Sequence, residues 1–250
     1  MHKNIGRLKE DEFVRALNGK KICDLPHNLQ HMMKEIYGFF DPEEVVIAGL
    51  VDKFQKPDFF IEYKGDRKYI SLKSGRATTV GEEDLKKFVL YLREKGLSIH
   101  SQATILLNHF SDGTMDGSGK ERIDYVKFKA MISDRIKELN EELNCNKDFV
   151  IDFVVRHVFI GTVEGNQPAD YICFGDVNYC VVCSKEQVIK HLHRRDWKFM
   201  DNPHIGPLQF KAHARYVGKE IRYEYKRWKT DIWWANLGPD MQYIAERYDG

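Results

Sequence analysis

The stretch Pro57-Asp58-Phe59-Phe60-Ile61-Glu62-Tyr63-Lys64-Gly65-Asp66-Arg67-Lys68-Tyr69-Ile70-Ser71-Leu72-Lys73 leaves the chain few options. An apolar, aromatic run over 59–63 and an alternating run over 68–73 flank a tight Lys-Gly-Asp turn, the pattern of an antiparallel hairpin. Successive strand residues face opposite ways, so Ser71 and Lys73 share a face and Asp58, at the mouth of the first strand, falls beside them. A carboxylate next to an ammonium is a minimal set for hydrolysing a phosphodiester. The carboxylate holds a hard divalent cation, while the ammonium orients a water and offsets phosphate charge.

Downstream, Glu82, Glu83 and Asp84 precede Leu85, Phe88, Val89 and Leu92. The i, i+3, i+4, i+7 spacing predicts a helix over 82–95 with the three acids in its first turn. A helix expected over 8–17 carries a further acid, Glu12.

Pro-Asp, a hairpin and then x-x-Lys resembles the PD-(D/E)xK nuclease superfamily, which includes many restriction endonucleases and resolvases. The second acid of that motif, two residues before the lysine, is Ser71 here. Some restriction-endonuclease-like enzymes carry S-x-K at this point and draw the missing carboxylate from the following helix. The run Ile70-Ser71-Leu72-Lys73-Ser74-Gly75, a threonine-rich loop and then V-x-x-E are similar to a bacterial group of such proteins, which favours Glu83 over Glu82 and Glu12. Gly81 departs from that group, which has histidine there. Residues 204–209, with Gly206, Pro207 and Leu208, resemble a turn of the same group. The resemblance implies that Asp58, Glu83 and the carbonyl of Leu72 hold Mg²⁺, and that Lys73 positions and helps deprotonate the attacking water. Ser71 would hold a water or the scissile phosphate, and Glu12 would complete a second metal site.

The formal net charge of +1 says little, but its distribution is uneven. Residues 185–229 carry 12 Lys and Arg against 5 Asp and Glu, a surplus of +7 that leaves −6 for the remainder. Trp197, Phe210, Tyr216, Tyr223, Tyr225 and Trp228 interleave with these charges, a composition suited to phosphate contacts with stacking on bases. Strands expected over 207–213 and 221–226 flank Val217-Gly218-Lys219 as a basic ribbon able to enter the DNA major groove. Lys211, His213, Arg215, Arg222 and Arg227 are the candidate DNA contacts. Arg122 joins them beside a glycine-rich loop at 111–120.

With 250 residues and 42% hydrophobic content, the chain can bury a substantial core. The absence of any apolar run of about 18 residues, and of an apolar leader, predicts a cytoplasmic protein with no membrane association. Five cysteines without disulfide-like spacing fit a reducing compartment. Cys180 and Cys183, with Cys173, His191 and His193 nearby, invite a zinc reading. Residues three apart on a strand point to opposite faces, however, so these read as core cysteines.

Further helices are expected at 26–40 and 122–143. Strands are expected at 45–51, 102–107, 150–155, 170–174, 178–183 and 231–235, with 102–107 pairing beside the catalytic hairpin. The expected fold is α/β, with a restriction-endonuclease-like mixed central sheet flanked by helices and a β-rich C-terminal elaboration. Residues 1–160 would form the nuclease core and 161–250 the basic DNA-binding part. The expected function is that of a Mg²⁺-dependent DNA endonuclease of type II restriction type acting on double-stranded DNA, as a homodimer if both strands of a palindrome are cut. The alternatives are a non-catalytic nucleic-acid-binding protein on a degenerate nuclease scaffold, or an RNA-directed or repair nuclease with the same metal site.

Overall fold

In chain order the strands are Ile47–Leu50 (β1), Phe59–Tyr63 (β2), Asp66–Lys73 (β3), Thr79–Asp84 (β4), Tyr171–Asp176 (β5), Tyr179–Ser184 (β6), His204–Ile205 (β7), Leu208–Ala212 (β8), Arg215–Val217 (β9), Glu220–Arg222 (β10) and Lys229–Trp234 (β11). They belong to a computed structural model that describes residues 5–52, 55–75, 78–97, 114, 120–121, 123–131, 133–197, 202–212, 215–217, 220–222 and 229–248. The fold is mixed α/β and divides into two units. The first comprises Met1–Thr78, Val155–Arg195 and Asn236–Gly250; the second comprises Thr79–Val154 and Asp196–Ala235. Residues 161–250 are therefore shared between both units.

The first unit is built on a sheet of order β1-β2-β3-β5-β6. The hairpin read from sequence is its centre: β2 and β3 pair antiparallel from Phe59↔Ile70 to Tyr63↔Asp66. The two-residue turn between them has positive φ at Lys64 (49°) and Gly65 (81°), the backbone whose twist matches that of the flanking strands. β3 then pairs in parallel with β5, Ile70 opposite Tyr171 and Lys73 opposite Phe174. The neighbour of β3 is thus Tyr171–Asp176 rather than the strand expected over 102–107, which lies outside the described residues.

β5 and β6 close antiparallel, with Gly175 opposite Cys180. Gly175 has φ +131°, and a Cβ there would sit 2.1 Å from the Tyr179 carbonyl oxygen, so only glycine fits. Helix α1 (Ile5–Leu17) packs on β1 and β2, and helix α2 (His27–Tyr37) packs on β6. Phe13, Leu17, Leu29, Met32, Phe59, Ile61, Ile70 and Cys173 form one apolar core, with the Phe13 and Phe59 rings stacked 5.5 Å apart.

On the remaining strand positions the pleat presents Cys183, whose Sγ faces the Met241 carbonyl of helix Leu237–Tyr248 at 3.4 Å. The cysteines expected in the core are there: Cys173 and Cys183 are buried and Cys180 is half-buried. Two helices of this unit carry no strong apolar run and escaped the sequence reading, Lys185–Arg194 and Leu237–Tyr248. The first opens on a capping box. Ser184 Oγ accepts from Gln187 N at 3.1 Å, and Gln187 Oε1 accepts from Ser184 N at 2.7 Å.

The second unit carries the antiparallel sheet β4-β11-β8-β7. It corrects the reading of 82–95 as one helix. Glu82, Glu83 and Asp84 lie in β4, paired with Asp231, Thr230 and Lys229, and the helix that follows, Leu85–Glu94, begins only after them. The strand expected at 150–155 is helical, part of Lys147–Val155. Its Phe149, Val150, Ile151, Phe153 and Val154 are buried, while Asp148 and Asp152, one helical turn apart, are exposed and mark its outer face. The helix expected over 122–143 is observed as Tyr125–Met131 and Ser133–Asn144, with Ile136, Leu139 and Leu143 buried as expected.

The ribbon expected between 207–213 and 221–226 also differs. β8 pairs with β11 and β7, while β9 pairs with β10, Val217 opposite Glu220. Asn140 and Asn144 hold the β7–β8 turn, accepting from His204 N at 3.0 Å and Gly206 N at 2.7 Å.

Candidate metal centre

Asp58 stands one residue before β2, and its N–H continues the ladder by donating to the Ile70 carbonyl at 2.8 Å. This fixes the side chain next to the end of β3. One carboxylate oxygen, Oδ2, accepts from the Leu72 N–H at 2.6 Å and from Ser71 Oγ at 3.5 Å. Lys73 Nζ lies 3.9 Å from the same oxygen and donates to the Leu72 carbonyl at 3.1 Å. Among the described residues no donor engages Asp58 Oδ1, which stays open to a cation. Ser71 is fully buried, whereas the Asp58 and Lys73 side chains are 26% and 17% exposed, enough for a ligand to reach them.

Two further groups join this cluster. The Glu10 carboxyl of α1 has its pKa raised, first by burial and then by the negative charge of Asp58; its bond to Arg7 Nη1 at 2.9 Å and the charge of Lys73 act the other way. Lys56 precedes Asp58 by two residues, and its Nζ donates a short hydrogen bond to the His157 carbonyl. Burial lowers its pKa to about 7; the nearby charge of Lys73 adds to the shift and Asp58 opposes it. The His157 carbonyl comes from a π-helical turn, Arg156–Ile160, an irregularity that turns a carbonyl out of the usual ladder. Gln55 Oε1 accepts from Gln167 N at 2.6 Å and ties the same loop to the segment after that turn.

Of the two acids of α1, Glu10, and not the expected Glu12, feels the charge of Asp58. Glu12 is exposed, two residues and about 200° further around the helix. The signal was present in the sequence, since Glu10, Phe13 and Leu17 share the i, i+3, i+7 stripe, and Phe13 and Leu17 are fully buried. Lys56, in a loop and without periodicity, gave no such signal.

Glu83 belongs to the second unit, where it is 2% exposed and opposite Thr230. Arg122, His213 and Arg227 lie outside the described residues. The backbones of Lys211, Arg215 and Arg222 fall in β8, β9 and β10, and their side chains lie outside what is described. Among the described residues no three His, Cys, Asp or Glu side chains are grouped to hold a metal. Asp58 Oδ1 and the Leu72 carbonyl are oxygen donors at the end of β3, the ligand type that a hard cation takes while retaining several waters. No helix among the described residues is long and apolar enough to cross a membrane.

Comparison with protein-family models finds none that matches the chain, and comparison with curated proteins finds no match either.

Proposed function

We propose that the first unit carries a Mg²⁺-dependent phosphodiesterase centre and that the protein is a DNA endonuclease of the PD-(D/E)xK type, related in activity to type II restriction enzymes. The observation that carries this reading is Lys73 Nζ 3.9 Å from the Asp58 carboxylate at the end of β3; the charge of Asp58 also raises the pKa of a second carboxyl, Glu10. Such a pair of acids gains from a divalent cation. Mg²⁺ takes one or two carboxylates and completes its shell with water and phosphate oxygens, so Asp58, Glu10 and the Leu72 carbonyl fit it. When bound, the ion would lower the pKa of a coordinated water and neutralise charge on the phosphate.

The protein's own groups have distinct parts in this scheme. Ser71 Oγ and the Leu72 N–H hold the Asp58 carboxylate in one orientation. Lys73, braced on the Leu72 carbonyl, presents its remaining protons to the attacking water or a non-bridging oxygen. Double-stranded DNA is the proposed substrate because the stretch 185–229 has a surplus of +7. Cutting both strands of a palindrome would call for a two-fold dimer, readable by light scattering with and without DNA.

The fully buried Ser71, where the motif has an acid, favours a second reading: a nucleic-acid-binding scaffold without catalysis. Incubating the protein with mixed-sequence plasmid and Mg²⁺, then mapping any ends, decides between the two. Discrete ends that disappear with EDTA support the endonuclease. Retarded but uncut DNA at every Mg²⁺ concentration supports the scaffold.

A further inference from the structure

Away from Asp58, the first unit holds a second concentration of chemistry. The end of helix Lys185–Arg194 and helix Leu237–Tyr248 border an open cleft of about 550 Å³ lined by His191, Arg194, Arg195, Asp240, Tyr243 and Arg247, among others. That volume lies within the range of small-ligand sites. Three guanidinium groups face one carboxylate, a surplus of two positive charges. Basic residues in a helix's last turn ordinarily complement its dipole, and Arg194 and Arg247 both stand in such a turn. The dipole does not account for their convergence, from two different helices, on one cleft beside Arg195.

The three arginines are held in different ways. Arg195 is oriented by Asp240 at 3.0 Å and lies 3.4 Å from His191 Nε2. Arg194 sits over the Tyr248 ring at 5.3 Å and Arg247 over the Tyr243 ring at 5.6 Å. Among the described residues no carboxylate pairs with Arg194 or Arg247. A guanidinium laid on an aromatic face has its plane fixed while its N–H edge stays available for bidentate bonds to phosphate. Tyr243, 45% exposed, adds a ring face at the cleft, and His191 packs edge-on against it from beneath, with ring centroids 5.5 Å apart.

We infer that this cleft binds a nucleoside phosphate, its phosphate groups on Arg194, Arg195 and Arg247 and its base against Tyr243. The two positive charges in surplus match a diphosphate or a terminal phosphate monoester, and the ring supplies what a bare anion does not use. The same chemistry is offered by a free nucleotide and by the phosphorylated end of a nucleic-acid strand. The site is distinct from the Asp58 centre and does not depend on metal.

The test is calorimetric titration of the full chain in EDTA with pyrophosphate, with ADP, and with a short single-stranded oligonucleotide bearing either a 5′-phosphate or a 5′-hydroxyl. Pyrophosphate binding should weaken about tenfold in Arg194→Gln and again in Arg247→Gln, the scale of a lost charge-assisted hydrogen bond. Tyr243→Leu should weaken ADP about tenfold while leaving pyrophosphate nearly unchanged. Binding of ADP but not of the phosphorylated strand identifies a free nucleotide as the source, and the reverse identifies a strand end. Asp58→Ala should bind every probe as the parent does. All the cleft positions substituted are exposed, and an unchanged unfolding temperature confirms that the variants fold. The inference is overturned if no probe binds the parent, if both arginine variants bind as the parent does, or if Asp58→Ala abolishes binding.

Discussion

The Glu10 carboxyl is held above its ordinary pKa by burial and by the charge of Asp58, so two acids from different elements, α1 and the mouth of β2, sense one another. A carboxyl whose folded pKa exceeds its unfolded value binds its proton more tightly when folded. Its charged form therefore penalises folding above the unfolded pKa, and the penalty vanishes below it. Glu10→Gln should accordingly raise the unfolding temperature at pH 7 in EDTA and make no difference at pH 3. It should also abolish the stabilisation that Mg²⁺ gives the parent. Glu12→Gln, altering an exposed side chain, should change neither. A metal response lost in Glu12→Gln and kept in Glu10→Gln would reverse the assignment.

Cleavage should depend on the pair at the end of β3. Asp58→Ala and Lys73→Ala should each slow Mg²⁺-dependent cleavage by about 100-fold or more, the usual loss for a preorganised electrostatic contact, while DNA retardation persists. Either variant cutting at the parent's rate would show that the chemistry lies elsewhere.

Lys56 gives a pH signature for the metal-free protein. Its folded pKa of about 7 lies below the ordinary lysine value of 10.5, so the unfolded chain holds a proton there that the folded chain releases. Stability should rise with pH between about 7 and 10.5, with the full penalty present below that window. Lys56→Met should be more stable than the parent at pH 6, and the gain should shrink toward pH 10. Urea unfolding in EDTA across that range measures it; parallel curves for the two proteins would mean that Lys56 is not buried as described.

Two glycines with positive φ should respond differently to alanine. At Gly165 (φ +77°) nothing lies within 4 Å of an added Cβ, so only backbone strain of about 1–2 kcal/mol is expected. At Gly175 the same strain is joined by overlap with the Tyr179 carbonyl, and the loss should exceed roughly 3 kcal/mol. Equal midpoints in denaturant would contradict the tight β5–β6 hairpin.

If the basic C-terminal stretch holds DNA, neutralising Lys211, Arg215, Arg222 or Arg227 with Gln should flatten the salt dependence of binding. The expected change is about 0.9 in log–log slope per lost phosphate contact. Binding measured across a salt series reads this directly, and an unchanged slope in all four variants would move the DNA to another surface.

How far these features could be read in the sequence depended on the range of the forces that set them. The β2–β3 hairpin and the neighbourhood of Asp58, Ser71 and Lys73 follow from a local turn and from alternation. Glu82 to Asp84 were misread because acids ahead of an apolar helical stripe look like a first helical turn. Their strand state comes from pairing with Lys229–Trp234, far along the chain, and tertiary pairing overrides local propensity. The helix at Lys147–Val155 failed for another reason: its β-branched and aromatic run reads as a strand, and the period is carried only by the exposed pair Asp148 and Asp152. Lys185–Arg194 was legible from Ser184 and Gln187, a start signal that the apolar pattern alone did not carry.

The parallel pairing of β3 with β5 has a consequence during synthesis. Tyr69 N–H donates to the Asp170 carboxylate, 101 residues later, and the β3 ladder continues from there. While the ribosome makes the intervening residues, β3 emerges with one edge unpaired. An unpaired, apolar edge invites pairing with another nascent chain. The second unit's residues 79–154 are translated in that interval, so the first unit cannot close its sheet until they have been made. Expression should therefore favour slow translation, low temperature or a holdase chaperone, and fragments ending before β5 should be recovered as aggregates.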